Sequence, residues 1–149
     1  MDNFYESYWA AFMTELERRP GFPLKSKKVP KNKNWIGWSC FGRKGFKLLA
    51  SLDQHSDWIC INFGIDMRDQ KHHFSTLYSK RLQINSDVGL ELRWDRLPPE
   101  KSATQAVITK WGVDVQNRSD WVKQHAWMLD VIEKLYTGML CHIEALPAN

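Results

Sequence analysis

Three short apolar segments separated by turns constrain the fold of this chain more than any other feature. In "WICINFGI", residues 58–65, isoleucine or phenylalanine recurs at every second position, as in a strand that buries one face. Upstream, Trp35–Phe41 and Phe46–Leu52 flank "GRKG", a tight turn whose glycines accept positive φ. The sequence therefore predicts a β-hairpin followed by a third antiparallel strand.

Apolar residues at three- and four-residue spacing predict helices in three places. The first helix runs from about Asn3 to Arg18 and ends at a Pro-Gly pair, which cannot continue it. The second runs from about Gln70 to Val88, and Gly89 follows at the position of a left-handed cap. The last begins after Ser119 or Asp120, and its apolar residues cover too wide an arc for an exposed helix. We therefore expect the last helix to lie buried across the sheet.

Two further strands complete the predicted sheet. "LELRWDRL", which starts at Leu90, alternates apolar and charged residues, and "PPEK" then turns into a strand from about Ala103 to Trp111. The element order α-β-β-β-α-β-β-α, with short connections, favours an α+β fold: a five-stranded, mainly antiparallel sheet with helices packed on one face. We expect residues 1–149 to form a single domain, because a chain of this length with 43% hydrophobic residues can bury one core.

Positive charge is concentrated in one part of the chain. Residues 18–47 contain ten Lys and Arg and no Asp or Glu, whereas the remainder holds 11 Lys and Arg against all 17 Asp and Glu. Half of the cluster lies in "FPLKSKKVPKNKN", which has two prolines and no apolar period and therefore predicts an extended loop. Such a segment is either a solvated loop or a surface for a polyanion.

If this loop and the hairpin turn lie side by side, their cations form one patch beside Trp35 or Phe41 that holds a nucleic-acid backbone without reading bases. For Trp35 and Trp38, base stacking competes with the commoner role of large aromatics in a core. The predicted nucleic-acid-binding residues are Lys25, Lys27, Lys28, Lys31, Lys33, Trp35, Arg43, Lys44 and Lys47. The predicted partners are DNA or RNA backbone or a nuclease-type protein. No contact with a membrane is expected, and homodimer formation is an alternative that the sequence does not decide.

The residues predict no catalytic site, no metal site and no cofactor. A phosphate-binding loop needs a Gly-Lys-Ser/Thr step into a helix, whereas Gly45 is followed by a strand pattern. A restriction-type nuclease needs two acids and a lysine around a metal, and the nearest approach, "ELR" at 91–93 with an upstream aspartate, has arginine instead. The three cysteines have apolar neighbours, which favours reduced core thiols. No two histidines are spaced for shared metal ligation, and we expect His125 to be partly buried and His72–His73 to be solvated.

Several segments together resemble a known family. They are "YWAAF" near the start, "NWIGWSCFGRKGFKL", "FSTLYSKRLQINSDVGLELRWDRL" and "SATQAVI", followed by a closing helix that contains tryptophan. They are similar to the prokaryotic family catalogued as domain of unknown function 4268, over nearly the whole chain. That family typically has Ile-Glu, a glycine and then Leu-x-Trp at the helix–strand junction. Here Asn85 follows Ile84, so no role that depends on that carboxylate is expected.

The resemblance implies a nucleic-acid context, because members of the family often look like the C-terminal part of proteins whose N-terminal part resembles restriction-type nucleases or other DNA-associated domains. We expect no such partner domain within these 149 residues. Together with the basic segment, this favours a non-catalytic, nucleic-acid-associated accessory module of a prokaryotic DNA-handling or restriction/defence system. The alternative is a protein-interaction or homodimerisation module that uses the uncovered sheet face. An acidic start and the lack of a long apolar run predict a cytoplasmic protein.

Overall fold

The computed structural model describes residues 3–96 and 104–148, and its element order confirms the predicted α+β fold. Short 3-10 helices at Arg68–Gln70 and Arg118–Asp120 lead into the second and fourth helices. The helices and strands in the described part of the chain are α1 Phe4–Glu17, β1 Trp35–Trp38, β2 Phe46–Leu52, β3 Trp58–Ile65, α2 His72–Ser79, α3 Arg81–Val88, β4 Arg93–Arg96, β5 Thr104–Trp111 and α4 Trp121–Glu144.

The five strands form one sheet in the order β1-β2-β3-β5-β4, and every neighbouring pair is antiparallel. In the hairpin Trp38 pairs with Leu48, and β3 returns beside β2 with Phe63 opposite Leu48. The chain then leaves the sheet to form α2 and α3. It returns as β4 at the far edge, and β5 lies between β3 and β4. The short strands β1 and β4 are therefore the two edges of the sheet.

The helices pack on one face of the sheet and bury a shared core. Every second side chain of β2, from Phe46 to Leu52, is fully buried, and the same phase of β3, from Ile59 to Ile65, is buried with it. As predicted, α4 is largely buried and crosses β3 and β2. The first helix packs beside α4 and contributes Tyr8, Trp9 and Phe12 to the same core. The opposite face of the sheet carries no described helix.

The predicted helix from Gln70 to Val88 is instead two helices that meet at Lys80, where φ is −104° and ψ is 15°. The ring of Phe74 in α2 lies 5.8 Å from that of Trp94 in β4. By contrast, α3 packs on α4, where Val88 meets Gly138. One straight helix could not follow both surfaces, so tertiary packing overrides the local apolar period.

Some boundaries differ from the predicted ones. β1 ends at Trp38, because Phe41 turns into the core and stacks on Tyr136 with ring centres 5.6 Å apart. β4 begins at Arg93, after a short connection that starts at the left-handed Gly89. The predicted start of β5 at Ala103 lies outside the described residues.

Three predictions of burial also need correction. Cys141 is exposed on α4, although all three cysteines were expected in the core. His73 is buried rather than solvated, because α2 presents it to the core beside Phe46. His125 is completely buried, not partly, because it lies on the side of α4 that contacts α1.

Candidate nucleic-acid interface

The lysine-rich segment at residues 22–34, called here the lysine loop, runs beside β1 at the edge of the sheet. Its backbone is tied to the core at two points. The indole N–H of Trp9 donates to the carbonyl of Lys33 at 2.9 Å, and that of Trp38 donates to the carbonyl of Lys25 at 3.1 Å. Both indoles are buried. The two prolines remove backbone donors, so the loop covers the edge without adding a strand.

The lysine loop carries five exposed lysines: Lys25, Lys27, Lys28, Lys31 and Lys33. The ammonium of Lys27 donates to the carbonyl of Gly37 and lies 5.8 Å from the centre of the Trp38 ring. The ammonium of Lys33 lies 5.2 Å from the centre of the Trp35 ring. Among residues 3–96 and 104–148, no carboxylate forms an ion pair with any of the five. No carboxylate in the described part of the chain therefore compensates the positive charge of the loop.

The cations of the hairpin turn are placed differently. The guanidinium of Arg43 donates to one main-chain carbonyl in the last turn of α4 and to two just after the helix, and it lies 3.2 Å from Nε2 of His73. The ammonium of Lys47 lies 2.8 Å from the carboxylate of Asp66. Lys44 is exposed and forms no ion pair with a described carboxylate. Two of the eight predicted cations, Arg43 and Lys47, therefore have partners within the protein, whereas the five lysines of the lysine loop and Lys44 form no ion pair with a described carboxylate.

Trp35 and Trp38 face opposite sides of the sheet. Trp38 is 7% exposed and belongs to the core, whereas Trp35 is 42% exposed on the face without helices. Phe41, the other aromatic considered beside the basic patch, is buried. Trp35 is thus the aromatic side chain that accompanies the lysine loop at the surface.

The face of the sheet opposite the helices carries two further tryptophans. Trp58 and Trp111 are directly opposite each other on β3 and β5, and Trp111 is 66% exposed. Neither residue is among the site residues predicted from the sequence. The available signal was the phase of β3, because Trp58 is one residue out of step with the buried series that starts at Ile59.

The end of the uncovered face that holds Trp58 and Trp111 is acidic instead of basic. A shallow open groove at that end is lined by the two tryptophans together with Asp57 and Asp114. The backbone N–H of Val113 donates to the carbonyl of Asp57 at 2.9 Å and joins the two loops that carry these acids. The uncovered face therefore runs from a basic edge at β1 to an acidic end beside β5.

The described residues include thiols and carboxylates of the kind that metal and catalytic sites use. Within the described ranges, no three His, Cys, Asp or Glu residues lie close enough together to hold a metal ion. Burial raises the pKa of the Cys40 thiol to about 11 and also raises the pKa of Cys60, which disfavours the nucleophilic thiolate at both positions. Arg93 binds Asp95 at 3.1 Å, and this hydrogen-bonded guanidinium lowers the pKa of the carboxyl group.

Comparison with known proteins gives one match. Residues 4–139 match the model of a family described as a domain of unknown function, DUF4268. The matched span begins with α1 and ends within α4. No curated protein and no solved structure shows a significant match to the chain. None of the described helices is both long and apolar enough to cross a bilayer.

Proposed function

We propose that this chain, which belongs to the DUF4268 family, is a non-catalytic accessory module that binds nucleic-acid backbone in a prokaryotic DNA-handling or restriction/defence system. The observation that carries the proposal is the lysine loop, in which five exposed lysines lie along one sheet edge on a backbone anchored to two buried tryptophans. The resemblance to proteins with nuclease-type partner domains supports the same context.

The physical basis is the release of counterions from phosphate. Each phosphate that a lysine neutralises releases condensed cations, so the logarithm of affinity falls linearly with the logarithm of salt concentration, by about 0.9 per phosphate on duplex and about 0.7 on single strands. Because the loop backbone is already held in place, binding does not have to order it. Contacts to phosphate carry no sequence information, so we expect binding without sequence preference.

Two charge-reversal variants test the proposal. The first replaces Lys25, Lys28 and Lys31 in the lysine loop with glutamate. The control makes the same change of charge at three exposed lysines on β5 and α4, namely Lys110, Lys123 and Lys134. Fluorescence anisotropy with labelled DNA over a series of salt concentrations measures affinity. We expect the loop variant to bind about tenfold or more weakly at low salt and its salt slope to fall by about 2, whereas the control keeps most of its affinity.

Two results would overturn the proposal. The first is an affinity for DNA that does not change with salt in the unmodified chain. The second is an equal loss of affinity in the loop variant and the control, because that would mean that net charge and not the lysine loop attracts DNA.

A second candidate function is docking of another protein chain, and the exposure of Trp111 beside Trp58 favours it. Aromatic side chains of this size are common anchors at protein interfaces. The partner would be a second copy of the chain or a nuclease-type protein. Size-exclusion chromatography with light scattering tests the homodimer directly. A dimer that persists in the lysine-loop variant and dissociates in Trp111→Ala would favour docking over DNA binding.

A further inference from the structure

On the basis of the function proposed above, we infer that Trp35 is a stacking site for an unpaired base, so that the nucleic acid held by the lysine loop is single-stranded. Trp35 begins β1, and its pairing with Ser51 fixes its position on the sheet. Its side chain is 42% exposed, and the ammonium of Lys33 lies over the ring, 5.2 Å from its centre, where a stacked base would displace it. An exposed aromatic surface beside positive charge is the combination that single-stranded nucleic acids bind.

Small side chains lie next to Trp35 on the sheet surface. The strand register places Ser51, Cys60 and Thr109 in one row with Trp35 across β2, β3 and β5. All three side chains are small, and the hydroxyl groups of Ser51 and Thr109 form hydrogen bonds with the buried Cys60 thiol, so this part of the face is smooth and has no protruding charge. Because neighbouring strands are about 4.8 Å apart, the row extends roughly 14 Å inward from the edge strand. Phosphates at the lysine loop and bases on this row would therefore lie side by side.

A duplex can contact the lysine loop through its phosphates, but its paired bases cannot stack on Trp35. In a duplex each base is covered on both faces by its neighbours, so a ring that lies on a sheet can stack only on a base that is unpaired. Reading the major groove requires a protruding helix or two-stranded ribbon. The β1–β2 turn does not protrude freely, because Arg43 holds it against the end of α4.

Trp111 provides a matched control for Trp35. It lies on the same face and is more exposed, at 66%. Its surroundings include Asp57 and Asp114, whose carboxylates would repel phosphate. If exposed tryptophan alone were enough for binding, Trp111 would contribute at least as much as Trp35. If binding requires an exposed tryptophan next to the lysine loop, only Trp35 contributes to the affinity for nucleic acid.

The experiment compares Trp35→Ala and Trp111→Ala with the unmodified chain. Anisotropy titrations use a labelled oligothymidylate and a blunt duplex of the same length at one low salt concentration, and circular dichroism confirms that both variants fold. We expect Trp35→Ala to bind the oligothymidylate roughly 5- to 150-fold more weakly, the loss of one stacked base. We expect Trp111→Ala to bind it as the unmodified chain does. Quenching of tryptophan fluorescence by the oligothymidylate should be smaller in Trp35→Ala.

The outcomes separate this inference from the function on which it rests. Equal affinity of the unmodified chain for single strand and duplex, with no effect of Trp35→Ala, would overturn base stacking and leave backbone binding by the lysine loop intact. Equal losses of affinity for the oligothymidylate in Trp35→Ala and Trp111→Ala would also overturn base stacking at Trp35, because proximity to the lysine loop would then make no difference. Absence of binding to either DNA would overturn both the stacking site and the proposed function.

Discussion

Acidification should destabilise the fold through His125, which is completely buried in α4. Its ring centre lies 4.5 Å from that of Tyr8 and 5.6 Å from that of Phe12, and no described group forms a hydrogen bond with either ring nitrogen. Burial without a charged partner lowers the pKa of His125 from 6.5 to about 4. The imidazole is therefore neutral in the folded protein over a pH range in which the unfolded chain already binds a proton.

The size of the effect follows from proton linkage. Above pH 6.5 the imidazole is neutral in both states, so His125 does not make stability depend on pH. As the pH falls from 6.5 towards 4, the unfolded state gains a proton that the folded state does not, and the free energy of unfolding decreases. A pKa difference of about 2.5 units at about 1.36 kcal/mol per unit gives a loss of about 3 kcal/mol.

Urea denaturation at a series of pH values between neutral and about 4 measures this loss. His125→Leu has a similar volume and cannot be protonated, so it should lose about 3 kcal/mol less than the unmodified chain over the same range. Met128→Leu, at a fully buried position of the same helix, is the control and should keep the original pH dependence. The pKa of His73 is also lowered, by burial and by the nearby His72 and Arg43, but this contribution is common to all three proteins. Parallel curves for His125→Leu and the unmodified chain would refute the reasoning.

Three further substitutions test the packing that positions the interface. Gly138→Ala should lower the free energy of unfolding by about 1–3 kcal/mol in urea, because the new Cβ would lie 2.6 Å from the Cα of Val88. Gly45→Ala should lower Tm, because φ is 83° and the new Cβ would collide with Met67; an unchanged Tm would contradict this. Arg43→Ala should lower the free energy of unfolding by about 2 kcal/mol, because the hydrogen bonds to the carbonyls of Ile143 in α4 and of Leu146 just after it are lost. The same Arg43 variant should keep its affinity for DNA in anisotropy titrations, and a large loss would show that the guanidinium also binds phosphate.

The sequence predicts which side of the sheet a strand residue faces, because successive side chains alternate. Trp38 is in phase with Ile36 and faces the core, whereas Trp35 is out of phase with both and is exposed. The same rule separates Trp58 from the buried series that begins at Ile59. Phase along the strand therefore distinguishes core from surface tryptophans better than residue type alone.

The partners of the cations could not be predicted in this way. Lys47 pairs with Asp66 at 2.8 Å, and Arg19 pairs with Asp130 at 2.7 Å. Tertiary structure brings both pairs together, so counting basic residues along the chain overestimates the charge that is available to a ligand. The break between α2 and α3 at Lys80 also depends on tertiary structure, because α2 packs against β4 whereas α3 packs against α4.

The lysine loop covers the exposed edge of the sheet and also carries positive charge. Covering the edge requires fewer lysines than the loop contains. β1 presents unpaired main-chain groups at the edge, and Lys27 occupies one of them by donating to the carbonyl of Gly37. The ammonium groups of Lys25, Lys28 and Lys31 make no such contact with described residues, although like charges held close together repel one another. Since protecting the edge does not require these three lysines, replacing them with glutamate should leave the chain folded and soluble while it loses salt-dependent binding to DNA. Aggregation of that variant would instead show that the charge of the loop protects the edge of the sheet.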